Sequence, residues 1–96
     1  MNLSGEYPVR FKATTKAAQA IKAKRWTADD YHAVRRGTSF LDKEGNRVWL
    51  RNTGNNTFSW LVENRNGVVI SARKGETLRS AELAYDAFGW PPGVLP

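Results

Sequence analysis

The chain has 96 residues, no cysteine and one histidine, and its fifteen Lys and Arg against nine Asp and Glu give a formal charge of +6. One core is the most this length supports, and the lack of cysteine excludes disulfide scaffolds, zinc fingers and thiol catalysis. No run of about 18 apolar residues occurs, and the start lacks the basic and apolar blocks of a signal peptide, so a soluble, cytoplasmic protein is expected.

In chain order, Tyr7, Val9 and Phe11 alternate with Pro8, Arg10 and Lys12, which predicts a short strand that Pro8 confines to a sheet edge. Residues 14–25 are rich in strong helix formers and free of Gly and Pro, and predict a helix. Its apolar side is only Ala17, Ala18 and Ile21, enough to lie against a flat surface but not to anchor a core. Arg10, Lys12, Lys16, Lys22, Lys24 and Arg25 place six bases and no acid within residues 10–25. Divided after Arg36, the chain has eight basic and three acidic residues before the cut and seven and six after it, so the excess charge is N-terminal. A local basic surface attracts polyanions, nucleic acid or an acidic protein, although a solvated helix face has the same composition.

Thr27 begins a capping box with Asp30, Trp26 and Tyr31 occupy the positions of a hydrophobic staple, and Arg35 and Arg36 fall at the negative end of the dipole. A second helix over residues 27–36 follows, with Gly37 as a left-handed stop. The period then changes to two. Strands are predicted over residues 38–42, 47–52, 57–63 and 68–73, separated by the turn clusters 43–46, 53–56 and 64–67. Connections this short make an antiparallel meander. Thr77 or Ser80 caps a last helix whose Ala81, Ala84, Tyr85 and Phe88 share one face and which stops at Gly89. The fold class is therefore α+β, a three- to four-stranded antiparallel meander sheet backed by a C-terminal helix, with two N-terminal helices. It forms one domain over residues 1–90, and a Pro-rich extended tail occupies residues 91–96.

Loop length implies a register. A four-residue loop over 53–56 sets Trp49 opposite Trp60, Arg51 opposite Phe58 and Arg47 opposite Val62, whereas an odd loop breaks this sorting. One face then holds Arg47, Trp49, Arg51, Phe58, Trp60, Val62, Val69, Ser71 and Arg73, and the other holds Val48, Leu50, Ser59, Leu61, Glu63, Val68, Ile70 and Ala72. Arginines around aromatic rings suit stacking on unpaired bases or entry into a DNA groove. The same rings also make a floor on which residues 1–36 can pack, with arginine stems lying along it.

The strings Val-Trp-Leu-Arg-Asn-Thr-Gly, Phe-Ser-Trp-Leu-Val-Glu-Asn-Arg-Asn-Gly-Val-Val-Ile-Ser and Leu-Arg-Ser-Ala-Glu-Leu-Ala, within residues 47–88, resemble the arm-type DNA-binding module of phage tyrosine recombinases. The last two strings are also similar to the repeat of the small bacterial YegP-like proteins. The first resemblance implies a three-stranded sheet backed by a helix, with Arg47, Arg51, Arg65 and Arg73 as groove contacts. Both cover under half of the chain; no recombinase catalytic domain accompanies the module, and the first 36 residues match neither family.

No phosphate loop, dinucleotide fingerprint or nucleophile elbow occurs. His32 has no second histidine or cysteine to complete a metal site, and Asp29 and Asp30 suit capping better than acid-base work. A ribonuclease using His32 with Arg35 or Lys24 is the one enzymatic arrangement these residues offer. No enzyme, cofactor, metal or small-molecule substrate is expected. The expected function is that of a small nucleic-acid-binding accessory protein, with contacts at Arg10, Lys12, Lys16, Lys22, Lys24, Arg25, Arg47, Trp49, Arg51, Trp60 and Arg73. The alternative is a phage-encoded inhibitor that docks on an acidic surface of a host complex.

Overall fold

The computed structural model describes residues 12–96. In chain order its elements are β1 (Lys12–Ala13), α1 (Thr15–Ala23), α2 (Ala28–Arg35), β2 (Thr38–Leu41), β3 (Arg47–Gly54), β4 (Thr57–Glu63), β5 (Val68–Thr77) and α3 (Leu78–Phe88). The α+β class is as expected, but the sheet is a mixed one of five strands in the order β1-β5-β4-β3-β2. Strands β2 to β5 form the antiparallel meander. β1 joins the free edge of β5 in parallel, Lys12 beside Val68 and Ala13 beside Val69. The chain does not pass from β1 to its parallel partner directly: α1 and α2 carry it across one sheet face from β1 at one edge to β2 at the other. Of the strand expected around Tyr7, Val9 and Phe11, only Lys12 falls within the described residues.

Local chemistry sets the helix ends. Thr14 caps α1 by accepting from the Ala17 amide (3.2 Å), and Thr27 and Asp30 form the reciprocal capping box of α2. Trp26 and Tyr31, the staple pair, are buried in one cluster. Thr77, not Ser80, caps α3, because β5 runs past Arg73 to Thr77; Gly89 ends the helix with φ +68°. Gly37 acts otherwise than expected. Its φ is not among the positive values, and an added Cβ would overlap the Leu50 carbonyl oxygen and lie 3.2 Å from that of Val34. The residue is glycine because the chain turns from α2 into β2 against the β3 backbone.

Helices cover both sheet faces. On one, Ala17, Ile21, Trp26, Tyr31 and Val34 of the N-terminal segment pack on Leu61, Val69 and Ala72, with Trp49 at the margin. On the other, Ala81, Ala84 and Trp90 pack on Phe40, Val48, Leu50, Phe58, Trp60 and Val62. Phe88, expected on the apolar stripe of α3, is 50% exposed. The tail does not continue extended: a turn at residues 92–93, with Gly93 at φ +90°, brings Val94 and Leu95 onto the second cluster.

The register between β3 and β4 differs from the expected one by one residue. Trp49 faces Leu61, Leu50 faces Trp60 and Arg51 faces Ser59. Asn55 and Asn56 both adopt left-handed φ, 54° and 57°, so they alone form the turn. Thr53 is left over as a bulge between the Asn52/Phe58 and Gly54/Thr57 pairs, and Asn52 Oδ1 braces it by accepting from the Gly54 amide (2.8 Å). A slip of one residue exchanges the faces of a strand. Phe58, Trp60 and Val62 therefore look toward α3, while Arg47, Trp49 and Arg51 look toward α1 and α2.

Candidate functional site

Two features bring polar chemistry to the surface: a cationic row along α1 and a cleft at the start of α2. Ala17 and Ile21 hold α1 to the sheet, so Lys16 and Lys22 stand outward, with Lys12 before the helix and Lys24 and Arg25 after it, all exposed. None of the five forms an ion pair with a described residue. Arg10, expected to extend the row, lies outside the described residues. Arg25 takes a left-handed conformation, φ 53°, and its carbonyl accepts from Lys74 Nζ (3.2 Å), which ties the α1–α2 connection to β5.

The structure does not bring Trp49 and Trp60 together. Trp60 is buried under α3, edge-on to Trp90 at 5.3 Å, and Trp90 is in turn edge-on to Phe40 at 5.4 Å. Trp49 is half-buried on the opposite face, and the Arg35 guanidinium lies 4.0 Å from its ring centre. Arg35 Nη1 also donates to Glu63 (3.0 Å) and to Tyr31 Oη (3.2 Å), so this face of the indole already carries a cation. Arg47 and Arg51 are exposed on the Trp49 side. Arg73 pairs with Trp60 in the sheet, hence on the α3 side, and meets Glu76 at 4.0 Å. The expected aromatic and arginine face is thus split between the two sides of the sheet, because the bulge at Thr53 adds one residue to β3. His32 is exposed and edge-on to Tyr31, while Arg35 is engaged at Trp49. Among the described residues no group of His, Asp and Glu is placed to hold a metal ion.

The cleft, of about 140 Å³, is lined by Trp26, Asp30, Val34, Arg51, Thr53, Ser59, Lys74 and Gly75. Lys74 Nζ donates to Asp30 Oδ2 at 2.6 Å, and Gly75 donates its amide to Ser59 Oγ at 3.0 Å. Trp26 is 2% exposed, and its indole N–H is buried without a hydrogen-bond partner. Of these residues, sequence reasoning had picked out only Arg51 as a contact. The others come from the α1–α2 connection, α2, β3, β4 and β5, and no spacing in the chain announces their meeting.

Asp30 responds to this setting. Burial raises its pKa, but the hydrogen bonds from Lys74 and from the Thr27 amide, with the Lys74 charge, outweigh that and hold the carboxyl below the usual range. A carboxylate with a lowered folded pKa contributes stability that is complete above its unfolded pKa, about 3.9, and is lost as pH falls through the folded value. Asp30→Asn is expected to lower the urea midpoint by a constant amount between about pH 7 and 5, with the difference shrinking below about pH 4. A difference that stays constant down to about pH 3 contradicts this coupling.

The chain matches no known protein family, no curated protein and no solved structure. The likeness of residues 47–88 to the arm-type and YegP-like units therefore rests on their motifs alone, and the functional reading rests on the site.

Proposed function

We propose that this is a small, non-enzymatic nucleic-acid-binding accessory protein whose primary contact surface is the cationic row along α1. The observation that carries the reading is the exposure of Lys12, Lys16, Lys22, Lys24 and Arg25 without an acidic partner among the described residues. Cations already neutralised within a fold release few counterions from a polyanion; unpaired ones on an exposed helix can engage successive phosphates. Arg47 and Arg51 extend the basic surface on the same side of the sheet. The burial of Trp60 and the Arg35 stack on Trp49 favour phosphate contact over base stacking.

Mobility shift with single- and double-stranded DNA and RNA across a salt series tests the reading. The logarithm of the affinity is expected to fall linearly with log salt, with a slope of about −3 to −5 if four or five phosphates are neutralised. Reversing Lys16, Lys22, Lys24 and Arg25 to glutamate takes the formal charge from +6 to −2, two units per reversal, and should abolish the shift. No shift of the unaltered chain at about 50 mM salt overturns the proposal.

One observation favours a protein partner as a second reading. The β2–β3 hairpin closes with Asp42 N donating to Asn46 O (2.9 Å), so alternation turns the backbone polar groups of Ser39 and Leu41 outward from edge strand β2. Leu41 is 52% exposed there, and Arg36, Lys43 and Arg47 flank the strand, a setting that suits an extended acidic segment. Retention of an acidic partner by the four-fold reversed variant would place that contact on β2 rather than α1.

A further inference from the structure

We propose that the cleft between the start of α2 and the β3–β4 hairpin is a binding site for a single phosphate group. The argument is a balance of donors and acceptors. Lys74 Nζ has three protons, of which Asp30 Oδ2 and the Arg25 carbonyl take two, at 2.6 and 3.2 Å. The third is unassigned. Arg51 brings five N–H groups and makes no ion pair or side-chain hydrogen bond with a described residue. Ser59 Oγ accepts from the Gly75 amide, which leaves its own O–H to donate. Trp26 lines the same cleft and holds a buried indole N–H with no partner.

Four donor groups therefore meet one carboxylate, and one of its two oxygens is already committed. Asp30 Oδ2 accepts from Lys74 and from the Thr27 amide (2.9 Å). Thr53 adds no free donor, since its hydroxyl is paired with that of Thr57. The Trp26 indole N–H is a buried donor without a partner in the wall of this cleft, and an oxyanion held there by Arg51 and Lys74 would take up the third lysine proton and the serine hydroxyl beside it. Counting Arg51, Lys74 and Asp30, the cleft carries one net positive charge, and Lys24 and Arg25 stand beside it in the segment that Lys74 holds. A tetrahedral oxyanion, with acceptors on every side, matches this donor set; a cation or an apolar ligand does not.

The inference rests on the nucleic-acid reading only for the source of the phosphate. The cationic row of α1 ends at Lys24 and Arg25, next to the cleft, so a strand lying along the row would bring one backbone or terminal phosphate to Arg51 and Lys74. Free orthophosphate examines the cleft by itself.

The experiment is a titration of the ¹⁵N-labelled full chain with sodium phosphate, against sodium chloride at matched ionic strength, following the indole N–H signals of the four tryptophans. One signal, the one missing from Trp26→Phe, is expected to move downfield and saturate with a Kd on the order of millimolar. Arg51→Ala, a change at an exposed residue, should weaken that binding by about tenfold or more. If Trp26→Phe does not fold, the responding signal is assigned by elimination, from the signals missing in Trp49→Phe, Trp60→Phe and Trp90→Phe. A shift that does not saturate, that chloride reproduces, or that Arg51→Ala leaves unchanged overturns the proposal. A second arm uses oligonucleotides with and without a 5′-phosphate. Saturation of the same signal by orthophosphate supports the site, and the oligonucleotides then identify its source: tighter saturation with the 5′-phosphate points to a terminal phosphate, equal saturation to a backbone one. Orthophosphate binding without any mobility shift would retain the cleft while removing the nucleic-acid reading.

Discussion

Trp60→Ala is expected to cost about 3–5 kcal/mol of folding free energy, whereas Trp49→Ala costs about 1–2 kcal/mol. Trp60 is the pivot of the α3 face: it is 5% exposed, meets Trp90 edge-on and stands among Phe40, Leu50, Ala81 and Ala84. Truncation leaves a cavity that Trp90 and the C-terminal residues cannot both fill, and the loss is a large part of the roughly 5–15 kcal/mol available to a domain of this size. Trp49 is half-buried, and its removal forfeits mainly the Arg35 stack and part of the contact with the first cluster. Urea denaturation of the two variants, with amide exchange to follow the α3 face, measures the difference. Equal costs, or a larger cost at Trp49, would contradict the one-residue shift between β3 and β4.

The second large effect is expected at Gly37. Gly37→Ala forces a methyl group onto the Leu50 carbonyl oxygen, which is backbone of β3, a strand paired on both sides, and cannot rotate away. Either β2 lifts from β3 or the end of α2 shifts from the sheet. Overpacking of this kind costs about 3 kcal/mol, whereas Arg36→Ala, one residue earlier at an exposed cap, should change stability by less than about 0.5–1 kcal/mol. Thermal melts of the pair separate a steric requirement at residue 37 from a general weakness of the α2–β2 connection. A melting temperature of Gly37→Ala equal to that of the unaltered chain contradicts the close approach.

These two expectations bear on function because both concern what holds the cationic row and the cleft in place. α2 carries Asp30 at the cleft and Arg35 over Trp49, and it is anchored by the Thr27–Asp30 capping box, Val34 on the sheet and the Gly37 contact. Lys74 spans from β5 to both Asp30 and the Arg25 carbonyl. The α1–α2 connection, with its exposed lysine and arginine, is thereby tied to the sheet by the Lys74 side chain as well as by the buried Trp26.

Much of the architecture was legible in the chain. The second and third helices were readable from their caps, because Thr27, Asp30, Thr77 and Gly89 act within a turn of their own position, and the first from its run of strong helix formers. Four strands followed from the period of two between Asn- and Gly-rich turns, and the concentration of charge before Gly37 was a matter of counting. The parallel pairing of β1 was not legible, since two residues carry too little pattern to name a partner 56 positions away. Nor was the stacking of Arg35 on Trp49, which depends on how α2 lies across the sheet.

The sequence by itself determined that three helices and the four strands of the meander form, how α2 begins, and which segment is basic. Only the tertiary structure decided which way the β4 side chains look, and with them the fate of the tryptophans. The physical reason lies in β4, where Phe58, Ser59, Trp60, Leu61 and Val62 are all buried because helices cover both faces of this central strand. A strand buried on both sides has no alternation to mark its faces, so its orientation is set by its neighbours. Here the neighbour's bulge at Thr53 set it, turning Trp60 inward beneath α3 and leaving Arg51 beside Lys74 at the cleft.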